Sequence, residues 1–124
     1  MKGEFDSKAP IFQQIVELIL SDIATGVLAP GEKVASVMVL AAEYKVNPNT
    51  MQKSLEKLGD MGYLYTERTS GRFVTEDTAK INDLRKKIPK DMTELYVKEM
   101  LSFGVPPNDI AGYVQNYLME EKNE

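Results

Sequence analysis

SVMVLAAEYKVNPNTMQKSLEKL, residues 36–58, predicts two short helices joined by a tight turn. Ser36 suits the N-cap of the first helix, because its hydroxyl can accept a backbone N–H of the first turn, and we expect this helix to end near Lys45. Asn47 is a second N-cap residue. Pro48 fits the first position of the second helix, where a missing N–H costs nothing. This order of residues predicts a helix-turn-helix.

The outer face of the second helix carries polar side chains that suit DNA. An amide can pair with adenine in the major groove, a hydroxyl with a base edge or phosphate, and an ammonium with phosphate or guanine. The helix N-terminus adds free N–H groups and a partial positive charge. A plain structural role, in which these residues only begin a soluble helix, is equally compatible with the motif alone. The residues concerned are Asn49, Thr50, Gln52 and Lys53.

Residues 63–74, YLYTERTSGRFV, predict a β-hairpin directly after that helix, with YLY and RFV as its two strands. Arginines beside the hairpin tip can reach phosphate or the minor groove. A hairpin in this place favours DNA binding over an unrelated structural role. The sequence therefore predicts a mainly α winged helix-turn-helix. The turn and its flanking arginines comprise Arg68, Thr69, Ser70, Gly71 and Arg72.

Composition narrows the possible functions. A chain of 124 residues can bury one core with a small extension. It contains no cysteine and no histidine, which excludes disulfides, thiolate metal sites and imidazole catalysis. The acidic residues are scattered, without a glycine-rich phosphate loop, so we expect neither an enzyme nor a cofactor or metal. Because no apolar signal core or membrane-length segment is evident, we expect a cytoplasmic protein.

The net charge of −4 argues against strong nucleic-acid binding. Residues 1–75, however, are nearly neutral, with eight basic side chains against nine acidic ones, so most of the acidity lies in the tail. A local basic patch can still face DNA, and we expect modest, strongly salt-dependent binding. The patch would comprise Lys33, Lys45, Lys53, Arg68 and Arg72.

The flanking segments complete the expected winged domain, residues 1–75. A helix is predicted from Pro10 to the stop at Gly26, with one continuous apolar face that packs behind the helix-turn-helix. The turn dipeptide Pro30-Gly31 follows, and Lys33-Val34 is a candidate short strand.

Residues 76–124 predict a helical tail that forms a homodimer. A near-helical apolar period crosses Pro89, which indicates one kinked helix, with two separate helices as the alternative. Gly104 ends this segment and Pro107 begins a last helix. Such helices have little of their own to bury, so a second copy of the chain is the expected cover; folding back on the same chain is the alternative. The predicted dimer residues are Ile81, Leu84, Ile88, Met92, Leu95, Tyr96, Phe103, Ile110, Val114, Tyr117 and Leu118.

Taken together, the segments PIFQQI, GVLAPGEKV, SVMVLAAEY, VNPNTMQKSLEKL, GYL and SGRFV closely resemble the winged-helix domain of GntR-family bacterial transcription regulators over residues 8–75. The short helical tail resembles the YtrA branch of that family. This resemblance implies a dimeric repressor that binds an inverted-repeat operator, often near transporter genes. It places DNA contacts at Lys8, Ser36, Met38, Asn47, Asn49, Thr50, Gln52, Lys53, Arg68, Thr69, Ser70, Gly71 and Arg72.

Several residues depart from the family pattern. Met38 and Val39 stand where arginine and glutamate are usual, and a lost bidentate arginine contact is worth roughly 1–3 kcal/mol of base discrimination. The others are Ala35 for proline and Thr69 for the first glycine of the wing. In addition, Pro48 and Gln52 stand where many members outside the YtrA branch carry arginine. The alternative function is a winged-helix module for protein–protein interaction, which the acidic balance and an apolar spot at Met38 would suit. Any effector would be a small apolar molecule between the tail helices and the wing.

Overall fold

The structure is a computed structural model that describes residue 5 and residues 9–122. Five helices and one two-stranded antiparallel hairpin make up this part of the chain, which confirms the mainly α winged-helix prediction. Two compact units result, Met1–Arg85 and Lys86–Glu124. The elements are α1 (Ile11–Thr25), α2 (Val37–Tyr44), α3 (Pro48–Asp60), β1 (Leu64–Glu67), β2 (Gly71–Val74), α4 (Thr78–Ser102) and α5 (Pro107–Lys122).

Helix α1 ends as its sequence predicts. Gly26 adopts a left-handed conformation with φ 86°, and its N–H donates to the Ile23 carbonyl. One face of the helix is fully covered, with Ile15, Ile19 and Ile23 each 2% exposed or less. Burial of each such side chain stabilises the fold by about 1.5–3 kcal/mol.

Both predicted caps of the helix-turn-helix are present. Ser36 Oγ accepts a hydrogen bond from the Val39 N–H at 3.3 Å, and Asn47 Oδ1 accepts one from the Asn49 N–H at 2.7 Å. Between the helices, Lys45 adopts φ 57°, and no other non-glycine residue among those described has a positive φ. The turn is therefore tight, as predicted, but it uses lysine where glycine would be unstrained.

Helix α3 lies at the centre of the first unit, packing against α1, α2 and β1. Its apolar stripe, Met51, Leu55 and Leu58, is fully buried. Ser54 is buried too, and its Oγ lies 2.9 Å from the Thr50 carbonyl oxygen and 3.3 Å from that of Phe12. A small side chain at this position lets the backbone of α1 approach α3 closely.

The hairpin is held by a third segment of chain. β1 pairs with β2 from Leu64↔Val74 to Glu67↔Gly71. The segment before α2 adds hydrogen bonds on the other edge of β2: Val34 N–H donates to the Arg72 carbonyl, and Val74 N–H donates to the Glu32 carbonyl, both at 2.9 Å. The predicted strand at 33–34 is thus reduced to one isolated bridge, from Lys33 to Phe73.

Two details of the hairpin differ from prediction. Tyr63 precedes the first strand, which begins at Leu64, although its carbonyl still accepts a hydrogen bond from the Thr75 N–H at 2.9 Å. Gly71 belongs to β2, where it pairs with Glu67, and not to the turn. Each strand is accordingly shifted by one residue from its predicted start.

The first two turns of α4 belong to the first compact unit, Met1–Arg85, which is called the winged unit below. Their contacts explain why this unit ends at Arg85. Ile81 and Leu84 are 3% and 5% exposed, and Arg85 Nε donates to the Ala24 carbonyl at 2.8 Å. Lys80 Nζ donates to the Met61 carbonyl at 2.6 Å. The compact unit therefore extends ten residues beyond the expected boundary at 75.

The tail follows the predicted single helix across Pro89 and not the alternative of two separate helices. α4 continues through Pro89 without interruption, and α5 begins at Pro107 as predicted. Many large apolar side chains of this region are open to solvent, from Leu101 at 44% to Phe103 at 89%. Within residues 9–122, no helix is both long enough and apolar enough to cross a bilayer.

Candidate nucleic-acid interface

The N-terminal half of α3 presents polar side chains to solvent. Asn47 and Asn49 are exposed, while Thr50 and Gln52 are half-buried. The Asn47 cap fixes the first turn of the helix, so the free N–H groups of that turn point outward at a defined place. This is the geometry that favours anions such as phosphate at a helix N-terminus.

Gln52 forms a side-chain hydrogen bond on this surface. Its Nε2 donates to Glu56 Oε1 at 2.8 Å, one helical turn further along α3. Glu56 is absent from the predicted site residues. The i, i+4 spacing of an amide and a carboxylate is the sequence signal that identifies it.

Lys53 contacts helix α1. Its Nζ lies 4.0 Å from the centroid of the Phe12 ring, within the range of a cation–π interaction. Phe12 is not among the site residues predicted from the sequence, and no local spacing pattern identifies it, because the two residues lie on different helices. The ammonium of Lys53 is thus held near the first turn of α1.

The start of α2 combines a polar cap with exposed apolar side chains. Ser36 is exposed and uses its oxygen as an acceptor for the cap, which leaves its hydroxyl hydrogen for an external partner. Met38 is 67% exposed and Val39 48% exposed. The family's usual charged pair is therefore replaced by an apolar spot that lies on the surface.

The hairpin tip gathers basic side chains. Arg68 is exposed and Arg72 is half-buried. Gly71 has φ 111°, and a Cβ added there would lie 3.2 Å from Lys33 Cε, so the lysine stem rests against the tip. At the hairpin's base, the Tyr65 and Phe73 rings stack with centroids 5.6 Å apart. Thr69 and Ser70 complete the exposed turn.

The predicted site residues thus fall into local groups on α2, α3 and the hairpin. Lys8 lies outside the described residues. Among the predicted dimer residues, Ile81, Leu84 and Ile110 are already buried within the single chain, and Ile88 and Tyr96 are half-buried. The exposed members are Met92, Leu95, Phe103, Val114, Tyr117 and Leu118.

Burial and nearby carboxylates perturb one tyrosine of α2. Desolvation, followed by the charges of Asp22 and Glu43, raises the pKa of Tyr44 to about 12. The side chain is only 3% exposed and its role is structural. In the part of the chain that the structure describes, no group of acidic residues is arranged to hold a metal ion.

Comparison with known proteins agrees with this geometry. The family model for bacterial regulatory proteins of the gntR family matches residues 11–74. The uncharacterized HTH-type transcriptional regulator YhcF of Bacillus subtilis (strain 168) is 30% identical over 117 residues, which cover 94% of this chain and 97% of YhcF.

Solved structures share the same architecture. A GntR family transcriptional regulator from Listeria monocytogenes is 37% identical with a TM-score of 0.82, covering 90% of this chain and 98% of its own. YtrA from Sulfolobus acidocaldarius, a GntR-family transcription factor, is 33% identical with a TM-score of 0.57, covering 74% and 96%. The AraR DNA-binding domain, solved in complex with operator ORE1, is 28% identical with a TM-score of 0.52, covering 60% and 94%.

Proposed function

We propose that this chain is a dimeric repressor that binds an inverted-repeat operator, because it belongs to the gntR family of bacterial regulatory proteins and resembles its YtrA-like members. The observation that carries the proposal is the capped N-terminus of α3, which offers Asn49, Thr50 and Gln52 outward beside an arginine-bearing hairpin. A related domain of the same fold has been solved on operator DNA.

The recognition helix would read base edges, and the hairpin and Ser36 would contact phosphates. Asparagine and glutamine amides pair with adenine, whereas hydroxyl, ammonium and guanidinium groups hold the backbone and set the register. The nearly neutral balance of residues 1–75 makes the affinity modest and dependent on local charge. The DNA-contacting role of each named residue is part of this proposal.

A dimer is proposed because of the exposed apolar side chains of the tail. Monomeric soluble proteins rarely leave large contiguous apolar surface uncovered, and a second copy of the chain covers it with two-fold symmetry. Two recognition helices about 34 Å apart would then match half-sites one duplex turn apart. Repression would follow from occlusion of a promoter, and an effector would release DNA only by binding the DNA-free arrangement more tightly.

A second candidate function rests on the α2 surface. Met38 and Val39 are exposed where a DNA-contacting arginine is usual in the family, so a protein partner is the alternative occupant of this face. Dependence on salt separates the two functions, since phosphate contacts release counterions and apolar contacts do not.

The decisive experiment is selection of binding sites from random duplex DNA, followed by salt titration of the selected site. Asn49→Ala should lower affinity for that site, whereas Asn116→Ala, at an exposed asparagine on α5, should leave it unchanged. A two-fold symmetric site with a steep salt slope supports the operator. Weak binding without sequence preference would contradict operator binding and favour the protein-interaction function.

A further inference from the structure

The contact between Glu56 and Gln52 determines which way the glutamine amide faces. Glutamine carries one carbonyl acceptor and an NH2 group with two hydrogens, and its terminal torsion is otherwise broad. Here Nε2 lies 2.8 Å from Glu56 Oε1. A hydrogen bond to an ionised carboxylate is roughly twice as strong as one between neutral groups, so this partner fixes the amide orientation.

The geometry of the amide decides which hydrogen Glu56 accepts. One NH2 hydrogen lies cis to the carbonyl oxygen and the other lies trans to it. A carboxylate bonded to the cis hydrogen would sit beside the carbonyl oxygen, and the two acceptors would repel each other. Glu56 therefore takes the trans hydrogen, which leaves the Gln52 carbonyl oxygen and the cis hydrogen side by side and unused.

This free pair matches one base edge in the major groove. Adenine presents the N7 acceptor next to the N6 amino donor, which the cis hydrogen and the carbonyl oxygen satisfy together. Guanine presents N7 next to the O6 acceptor, so the fixed carbonyl oxygen would face another oxygen. An amide free to rotate could turn its NH2 group toward O6 and lose this discrimination.

We propose that Glu56 is a specificity-determining positioning residue, which holds the Gln52 amide ready to read adenine and reject guanine at one position of each half-site. The inference rests on the proposed DNA-binding function and adds the base that Gln52 reads and the residue that enforces the choice. Glu56 acts through Gln52 and touches no base itself.

Glu56 has opposite effects on specificity and on general affinity. Its negative charge lies on the helix that faces phosphates, so removing it lessens repulsion and strengthens sequence-independent binding. Removing it also frees the Gln52 amide. If Glu56 had only a structural role, its removal would not produce stronger general binding together with weaker base preference. A substitution that destabilised α3 would instead weaken binding to every sequence.

The test compares the wild type with Glu56→Ala, Glu56→Gln and Gln52→Ala, all on full-length protein. Binding sites are selected from random duplex DNA, and affinities are then measured for the selected site and for the site with adenine replaced by guanine. Asp60→Asn is the charge-matched control, since it removes one exposed carboxylate from the same helix. Thermal melting followed by circular dichroism establishes that each variant is folded.

We expect the wild type to prefer adenine over guanine roughly tenfold or more at one position per half-site. Glu56→Ala should bring this ratio close to one while binding to random DNA tightens, and Asp60→Asn should keep the ratio. Glu56→Gln retains an acceptor and should recover part of the preference. In the Gln52→Ala background, Glu56→Ala should not change the ratio further.

Failure of the inference and failure of the function have different signatures. A wild type that selects a symmetric site but keeps its adenine preference in Glu56→Ala overturns the role of Glu56. A wild type that selects no site overturns the operator proposal, and the inference with it.

Discussion

The ammonium of Lys53 on α3 lies 4.0 Å from the centre of the Phe12 ring on α1. The neighbouring residue, Ser54, approaches the Phe12 carbonyl at 3.3 Å, so the same short section of α3 meets α1 twice. Lys53 is therefore not a free surface cation: its position depends on a residue of the supporting helix.

This contact predicts energetic coupling between Phe12 and Lys53. A double-mutant cycle with Phe12→Leu and Lys53→Met should give a coupling of about 0.5–1 kcal/mol, the usual size of a cation–π interaction at an exposed site. Urea denaturation measures each free energy of unfolding. Phe12→Tyr keeps an aromatic ring and should preserve the coupling, whereas additive single effects would contradict it.

Lys45 is predicted to be replaceable with a gain in stability. A left-handed conformation costs a non-glycine residue about 1–2 kcal/mol, and replacement by glycine removes this cost. The greater flexibility of glycine in the unfolded chain offsets roughly 0.5–1 kcal/mol of the stability gained. Lys45→Gly should therefore raise the free energy of unfolding by about 0.5–1 kcal/mol. Lys57→Gly, at an exposed position within α3, should lower it by about 1 kcal/mol.

If Lys45 also contacts phosphate, stability and affinity will separate. Lys45→Asn tolerates the left-handed conformation without the positive charge. It should keep the protein folded while lowering DNA affinity and reducing the salt slope. Equal loss of stability in both the Gly and Asn variants would show that the strain argument is wrong.

Alkaline pH should destabilise the protein through Tyr44. Below pH 10 the Tyr44 phenol is protonated in both the folded and the unfolded chain. Between pH 10 and about 12 the unfolded chain loses the proton and the folded chain retains it. Stability therefore falls as pH rises through this window, by up to about 2–3 kcal/mol. Tyr44→Phe should remove this part of the pH dependence, measured by urea denaturation at several pH values. Tyr113→Phe, at an exposed tyrosine, should leave the pH dependence of stability unchanged.

Arg68 at the hairpin tip should act on every DNA sequence alike. Arg68→Gln is expected to weaken specific and random binding by similar factors and to reduce the slope of log affinity against log salt by about one. Lys98→Gln, at an exposed lysine of α4, serves as the control for lost charge. A change in base preference without a change in slope would assign Arg68 to base reading.

The tail should lose self-association when its apolar surface is charged. Leu118 lies on α5 and is 59% exposed. The substitution Leu118→Glu would place an unpaired carboxylate in the proposed dimer contact. Sedimentation equilibrium should then give the monomer mass, with a large loss of operator affinity. Asn116→Glu adds the same charge at an exposed polar position and should leave the mass at its wild-type value.

Local signals explain how much of the fold the sequence predicted. Caps, proline at a helix start and glycine at a helix end depend on residues within one turn of each other, so the boundaries at Ser36, Asn47 and Gly26 were predictable. The exposed polar side of α3 and its buried apolar stripe followed from periodicity alone.

Long-range contacts explain what the sequence did not predict. Lys53 meets Phe12 across two helices, and the first turns of α4 join the winged unit through Arg85 and the Ala24 carbonyl. Neither relationship leaves a spacing pattern, because each depends on how separate helices pack. Glu56 is different, since its i, i+4 relation to Gln52 was visible in the sequence.

The hydrogen bonds from the segment before α2 to strand β2 have a consequence for the order of folding. They join residues on either side of the whole helix-turn-helix, so the hairpin gains its second edge only after the intervening chain has condensed. Loop closure over that distance is slow compared with local helix formation. The contacts between this segment and β2 should therefore be among the last of the first compact unit to form, and a fragment cut after α3 would leave the Val34 N–H without its partner carbonyl.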